Sequence, residues 1–159
     1  MKLFTILNID CRYQGSQHEV LTIESLDIKK GNLTFVVGES GIGKSTLLET
    51  LGMMNNTIQV NKEKSAYFHF FPTQDNNPAN LIRYWDKRNS SLLNELRNSY
   101  FSFVFQNNNL MDSFTAIENV MLSSLIQGAN KATAVERASS VFEKLNISEF
   151  EQSPTKFLS

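Results

Sequence analysis

The stretch that decides the fold is "LTFVVGESGIGKSTLLETLGMM", residues 33–54, where an apolar run is followed by a glycine-bearing loop. Residues 33–38 are nearly all apolar and include β-branched side chains, as is typical of a strand covered on both faces in a parallel sheet. The run from Lys44 to Met54 that follows the loop is predicted to be a helix. The sequence therefore predicts a strand, a loop and a helix in direct succession.

The loop between them, "GESGIGKS" from Gly38 to Ser45, fits the phosphate-loop pattern of Gly, four residues, Gly-Lys-Ser/Thr. In such a loop, backbone N–H groups and the positive end of the next helix converge on a polyphosphate. Gly41 and Gly43 allow the backbone to wrap a β-phosphate without clashes. Lys44 supplies a positive charge to the β/γ-oxygens, and the Ser45 hydroxyl can bind Mg²⁺. The pattern predicts a nucleotide site; the alternative is a plain glycine turn.

In the rest of the chain the spacing of apolar residues indicates helices and strands, except between residues 55 and 98, where the pattern is unclear. Two helices near the end are each expected to begin with a capping box, Thr115 with Glu118 and Thr133 with Glu136. Gly128 is expected to stop the first of them. The predicted elements are strands at 3–10, 19–28, 65–71 and 100–106, an interrupted helix at 81–98, and helices at 113–128 and 132–146.

Two segments resemble the ATP-binding subunits of ABC transporters. Residues 12–48, "RYQGSQHEVLTIESLDIKKGNLTFVVGESGIGKSTLL", are similar to the opening of that family. Residues 95–125, "ELRNSYFSFVFQNNNLMDSFTAIENVMLSSL", are similar to its Q-loop region, above all in subunits of lipoprotein-releasing and macrolide-export type. The resemblance implies an α/β fold: a P-loop NTPase core of ABC ATPase type with N-terminal antiparallel β strands and part of a helical subdomain.

The same resemblance implies a division of the chain and an incomplete domain. A nucleotide-binding core portion is expected over residues 1–106, with an irregular insertion at about 55–98 where the family has a short β segment. A partial helical subdomain is expected over residues 107–159.

The resemblance also implies the site residues and their cofactors, ATP and Mg²⁺. Tyr13 matches the aromatic residue that stacks on adenine, and Gln106 matches the Q-loop glutamine that reaches Mg²⁺ and the attacking water. The nucleotide-binding residues carried over are Tyr13, Gly38, Ser40, Gly41, Gly43, Lys44, Ser45 and Thr46, and the Mg²⁺ ligands are Ser45 and Gln106.

The final residues, "SPTKFLS" (153–159), resemble the approach to the family's signature motif, with Leu158 and Ser159 as its first two residues. The strand with the catalytic Asp-Glu pair has no counterpart, and His18 and His69 both precede Gln106, so neither matches the switch histidine. Residues 1–159 are therefore expected to be the front portion of an ATPase that is truncated within the signature motif. This portion is expected to bind nucleotide largely without hydrolysing it.

The charge and composition of the chain argue against some classes of partner and location. Fifteen Lys+Arg against sixteen Asp+Glu give a charge of −1, without the basic footprint of a nucleic-acid binder. The one cysteine, Cys11, fits a reducing compartment. No apolar run approaches the roughly 20 residues of a membrane span. The resemblance implies a cytoplasmic protein held at the inner face of the cell membrane by a permease, paired head-to-tail with a second ATP-binding subunit.

Two other functions remain open at this point. A non-catalytic nucleotide-binding or regulatory remnant would fit the missing acidic residues. A small P-loop kinase would need an arginine-rich lid. The arginines after the loop show no such cluster; they are Arg83, Arg88, Arg97 and Arg137.

Overall fold

The computed structural model describes residues 1–60, 64–73, 77–86, 90–106 and 110–157, apart from the side chains of residues 86, 90 and 157. The chain divides into two compact units, residues 1–103 and 104–159. Each unit has its own core. Within the described residues, no helix is long and apolar enough to cross a bilayer.

The first unit is built on a sheet whose central strand is the first in the chain. All its pairings are antiparallel; the first strand pairs with the second along one edge and with the third and fourth along the other. The strands predicted at 3–10 and 19–28 are confirmed and form a hairpin, and a strand within 65–71 is confirmed as well. The described strands are β1 (Lys2–Cys11), β2 (Leu21–Lys29), β3 (Ile58–Val60), β4 (Tyr67–Phe70) and β5 (Ala79–Asn80).

Asn8 changes which side chains of β1 face the core. β1 pairs with β4 through residues 4–7 and with β3 through residues 9–11. Between them Asn8 has a φ of 49°, in the left-handed region that asparagine tolerates better than most residues. Its side-chain amide donates to the Ser65 carbonyl at 2.8 Å. The inward positions therefore shift from even to odd residue numbers, and Ile9 and Cys11 are fully buried.

An aromatic cluster fills the core of the first unit. Phe4 stacks on Phe70 with ring centroids 4.9 Å apart, and Phe101 lies 5.1 Å from Phe70. Phe68 is completely buried and lies 5.7 Å from Trp85. Burial of these large rings removes apolar area from water and so stabilises the core.

Three helices accompany the sheet: α1 (Lys44–Leu51), α2 (Leu81–Asp86) and α3 (Ser90–Tyr100). The interrupted helix predicted over 81–98 is confirmed, with residues 87–89 outside the described part. The phosphate-loop helix is shorter than predicted: α1 is capped by Gly52 and followed by Met53 at a φ of 57°, a left-handed residue that cannot continue a helix. Residues 55–98 carry β3, β4 and β5 as well as α2 and α3.

The strands predicted at 33–38 and 100–106 are wrong. Residues 32–39 and 101–105 have no regular secondary structure, and the side chains of Leu33, Phe35 and Val37 are 81%, 76% and 86% exposed. Both runs have the apolar composition of strands covered on two faces, but a strand also needs neighbours to bond its backbone. Neither run belongs to a strand of the sheet that the described residues form.

The second unit holds a pair of packed helices, α4 (Ala116–Ile126) and α5 (Lys131–Leu145), and two short 3₁₀ turns. Ile117 and Met121 of α4 share a core with Ala134, Ala138 and Phe142 of α5. The predicted stop of the first helix at Gly128 is confirmed, since α4 ends two residues earlier and Gly128 has a φ of 89°. The predicted signature residues Leu158 and Ser159 lie outside the described residues.

One of the two predicted capping boxes is confirmed. The Glu118 amide donates to the Thr115 hydroxyl oxygen at 3.4 Å, and the Glu118 carboxylate accepts from the Thr115 amide at 2.9 Å. The Thr115 amide and hydroxyl both donate to the Glu118 carboxylate and lower its pKa. The box of Thr133 and Glu136 is wrong: the N-cap of α5 is Asn130, whose side-chain oxygen accepts from the Thr133 amide at 2.9 Å.

Candidate functional site

The predicted phosphate loop leads directly into α1, which begins at Lys44. Gly41 and Gly43 have φ values of 85° and 97°, a region that side chains rarely adopt. A Cβ on Gly43 would also lie 3.0 Å from the Val20 carbonyl oxygen, just before β2. Glycine is therefore required at residue 43 both by its backbone conformation and by the space around it.

The Lys44 side chain folds back over the loop. Its Nζ donates to the carbonyl oxygens of Gly38 at 2.9 Å and Glu39 at 2.6 Å. At the start of α1, Gly43 provides no side-chain cap for the first backbone N–H groups. The loop thus brings an ammonium group and the uncapped, partially positive end of a helix together, an arrangement suited to an anion.

The structure brings Tyr13 to the first turns of α1. Its hydroxyl lies 3.2 Å from the Thr46 hydroxyl oxygen and donates to the Glu49 carboxylate at 3.4 Å. The side chain is 42% exposed, so part of the residue stays available to a ligand. Tyr13 also lines an open cavity of about 860 Å³ with Gln59 of β3 and residues 12–17 and 56.

The sequence does not predict a polar network that joins α1 to residues 55–57. The hydroxyls of Thr50 and Thr57 both donate to the Asn55 side-chain oxygen, at 3.1 and 3.0 Å. Thr50 and Thr57 are almost fully buried. Thr50, directly before Leu51 at the end of α1, is the available signal, but its partners come from residues 55–57, where the sequence pattern is unclear.

Two titratable residues of the first unit have structural roles. Cys11 is buried, with Sγ 3.9 Å from the Thr50 hydroxyl oxygen, and burial raises the pKa of its thiol. It therefore stays protonated at neutral pH and is a poor nucleophile. His69 stacks on Tyr67 at 5.2 Å in β4, and desolvation by partial burial lowers its pKa.

The other predicted site residues are divided between the two units. Ser40 and Ser45 are exposed at the phosphate loop and the first turn of α1, and Thr46 is buried there. Gln106 belongs to the second unit and is exposed. The loop residues and Tyr13 therefore form one group, while the role of Gln106 at Mg²⁺ stays a prediction.

Comparison with known proteins shows a family for most of the chain. A family model described as "ABC transporter" matches residues 21–159. The chain is 30% identical over 148 residues to the lipoprotein-releasing system ATP-binding protein LolD of Rickettsia bellii, covering 92% of this chain and 58% of that protein. It is 31% identical over 153 residues to LolD of Myxococcus xanthus, covering 92% and 59%.

A fused relative is also similar. The macrolide export ATP-binding/permease protein MacB of Aggregatibacter actinomycetemcomitans is 31% identical over 139 residues, 86% of this chain and 19% of that protein. The chain thus spans somewhat less than two thirds of the LolD relatives that it matches, with 58% and 59% in the two given above.

Proposed function

The chain belongs to the ABC transporter family, and from this premise we propose that it is the ATP-binding portion of a subunit that powers export through a membrane permease. The observation that carries the proposal is the phosphate loop. Gly41 and Gly43 hold it in a conformation reserved for glycine, and Lys44 and the uncapped start of α1 converge on it. Tyr13, beside the first turns of α1, would contact the base.

Mg²⁺ would accompany the nucleotide. Mg²⁺ prefers oxygen ligands and is usually held by substrate phosphates with one or two protein groups. Ser45 is exposed in the first turn of α1, next to Lys44, and its hydroxyl oxygen suits this role. Gln106 is the second proposed ligand, carried over from the Q-loop resemblance.

The proposed partners follow from the relatives' names. LolD is an ATP-binding protein of a lipoprotein-releasing system, and MacB combines ATP-binding and permease parts in one protein. We therefore propose that this chain acts with a membrane permease at the inner face of the cell membrane. A second ATP-binding subunit would complete the nucleotide site in a head-to-tail pair.

Calorimetry with a series of adenine nucleotides tests the proposed function. ATP and ADP are expected to bind with similar affinity, since the loop and Lys44 mainly contact the β-phosphate. AMP lacks that phosphate and should bind about tenfold more weakly or worse, because hydrogen bonds to charged groups are worth about 1.5–3 kcal/mol each. Equal binding of AMP and ADP would contradict a phosphate-loop site.

Substitutions of Tyr13 test its contact with the base. Tyr13→Ala should weaken ATP binding by about 1–3 kcal/mol, the value of base–aromatic stacking in single-stranded complexes. Tyr13→Phe keeps the ring but loses the hydroxyl contacts with Thr46 and Glu49, so it should fall between alanine and wild type. If Tyr13→Ala binds ATP as the wild type does, the residue has no role at the base.

A further inference from the structure

Asn55 connects the phosphate-loop helix to the strands of the sheet. Its side-chain Nδ2 donates to the Thr46 carbonyl oxygen and to the Glu49 carboxylate, both at 3.4 Å. Its Oδ1 accepts from the hydroxyls of Thr50 and Thr57. One half-buried amide therefore joins Thr46, Glu49 and Thr50 of α1 to Thr57, the residue before β3.

The orientation of the Asn55 amide is set by its neighbours. Thr50 is fully buried and Thr57 is 1% exposed, so their hydroxyls need partners within the protein. Both hydroxyls can donate to Asn55 Oδ1, and the NH₂ group must then point to the acceptors on α1. Burial of the two threonines thus directs the amide donors towards Thr46.

The main chain around Asn55 is held from two further sides. The Thr57 carbonyl accepts from the Arg12 amide at 2.8 Å, one residue before Tyr13. The Asn55 carbonyl accepts from Trp85 Nε1 at 3.1 Å. A continuous path of hydrogen bonds therefore runs from the first turn of α1 through Asn55 and Thr57 to the backbone that carries Tyr13.

We propose that Asn55 is a positioning residue that fixes the separation between the phosphate loop and Tyr13, so that one nucleotide can contact both. This inference rests on the proposed nucleotide-binding function and adds to it. A ligand with phosphates alone needs only the loop. A nucleotide must contact the loop with its phosphates and Tyr13 with its base at the same time. Both contacts can form only when the distance between the loop and Tyr13 matches the length of the nucleotide.

The test compares ATP with inorganic tripolyphosphate in calorimetry. Asn55→Asp keeps the acceptor for Thr50 and Thr57 but replaces the amide donors with an oxygen that faces the Thr46 carbonyl and Glu49. Asn32→Asp, which adds the same charge at an exposed residue beyond the far end of β2, is the matched control. Asn55→Asp should bind tripolyphosphate with a Kd within about twofold of wild type. Its preference for ATP, the Kd of tripolyphosphate divided by the Kd of ATP, should fall about three- to tenfold, the range of one hydrogen bond.

Three results would overturn the inference. Asn55→Asp and Asn32→Asp could change the ATP preference equally, Asn55→Asp could leave the preference as in wild type, or both ligands could weaken by the same factor, as a general loss of structure predicts. A wild type that binds neither ligand would instead refute the proposed function itself. The two failures are therefore distinguishable in one set of titrations.

A second substitution keeps the test decisive if Asn55→Asp does not fold. Thr57→Val removes one donor to Asn55 Oδ1 at nearly constant volume, and Thr57→Ser restores the hydroxyl. Thr57→Val should lower the ATP preference and Thr57→Ser should recover it; equal preferences would contradict the inference. Trp85, the one tryptophan of the chain, bonds the Asn55 carbonyl, so its fluorescence reports whether each variant keeps this segment in place.

Discussion

Lys44→Ala is expected to abolish detectable nucleotide binding. The Lys44 ammonium lies over the loop, on the carbonyls of Gly38 and Glu39, and would supply the positive charge that binds the β-phosphate. A hydrogen bond to a charged group contributes about 1.5–3 kcal/mol, and its loss with the accompanying charge should raise Kd by roughly two orders of magnitude. Titration calorimetry with ATP and ADP measures the effect.

The matched control for this variant is Lys30→Ala. Lys30 also donates to a backbone carbonyl, that of Thr73 at 2.6 Å, but it follows β2 at the end opposite Val20, the residue that contacts Gly43. Its removal subtracts the same charge from the protein without touching the loop. Unchanged affinity in Lys44→Ala, or an equal loss in Lys30→Ala, would contradict the proposed site.

Phe68→Ala is expected to lower the free energy of unfolding by about 3–5 kcal/mol, the usual cost of removing a buried phenylalanine side chain. Phe68 is completely buried in β4, between Phe4 at 6.0 Å and Trp85 at 5.7 Å. This loss is comparable with the whole stability of many domains. Urea unfolding followed by circular dichroism gives the value.

Phe35→Ala serves as the control, because the Phe35 side chain is exposed and its removal should change the free energy of unfolding by less than about 0.5 kcal/mol. The sequence alone predicts the opposite for Phe35, since it places the residue in a buried strand. Equal losses for the two variants would mean that Phe35 is buried in solution.

Local signals in the sequence predict the features that need few distant partners. The hairpin of β1 and β2 follows from alternating apolar residues joined by a polar turn, and the capping box of α4 follows from Thr115 and Glu118 alone. The phosphate loop is readable because its glycine positions are fixed by backbone conformation. Gly41 and Gly43 both have the positive φ that the pattern requires.

Features that depend on distant partners could not be predicted. Residues 33–38 have the composition of a buried strand, but a strand forms only where neighbouring backbone is present to bond it. The box expected at Thr133 failed because Asn130, one turn earlier, is a better placed cap. Asn55 gave no signal at all, since its partners on α1 and before β3 are brought together only by the fold.

The hydrogen bonds of Lys44 to the Gly38 and Glu39 carbonyls also affect the enthalpy and entropy of ligand binding. A long lysine side chain free in water has up to about 2 kcal/mol of rotamer entropy to lose when it is ordered. Here that loss accompanies folding, since the ammonium is already held by two carbonyl dipoles. A bound phosphate would replace those carbonyls as the acceptor for the Lys44 ammonium. Binding therefore exchanges one set of hydrogen bonds for another and orders the lysine side chain little further. The measured enthalpy of binding then contains the difference between the two sets of bonds.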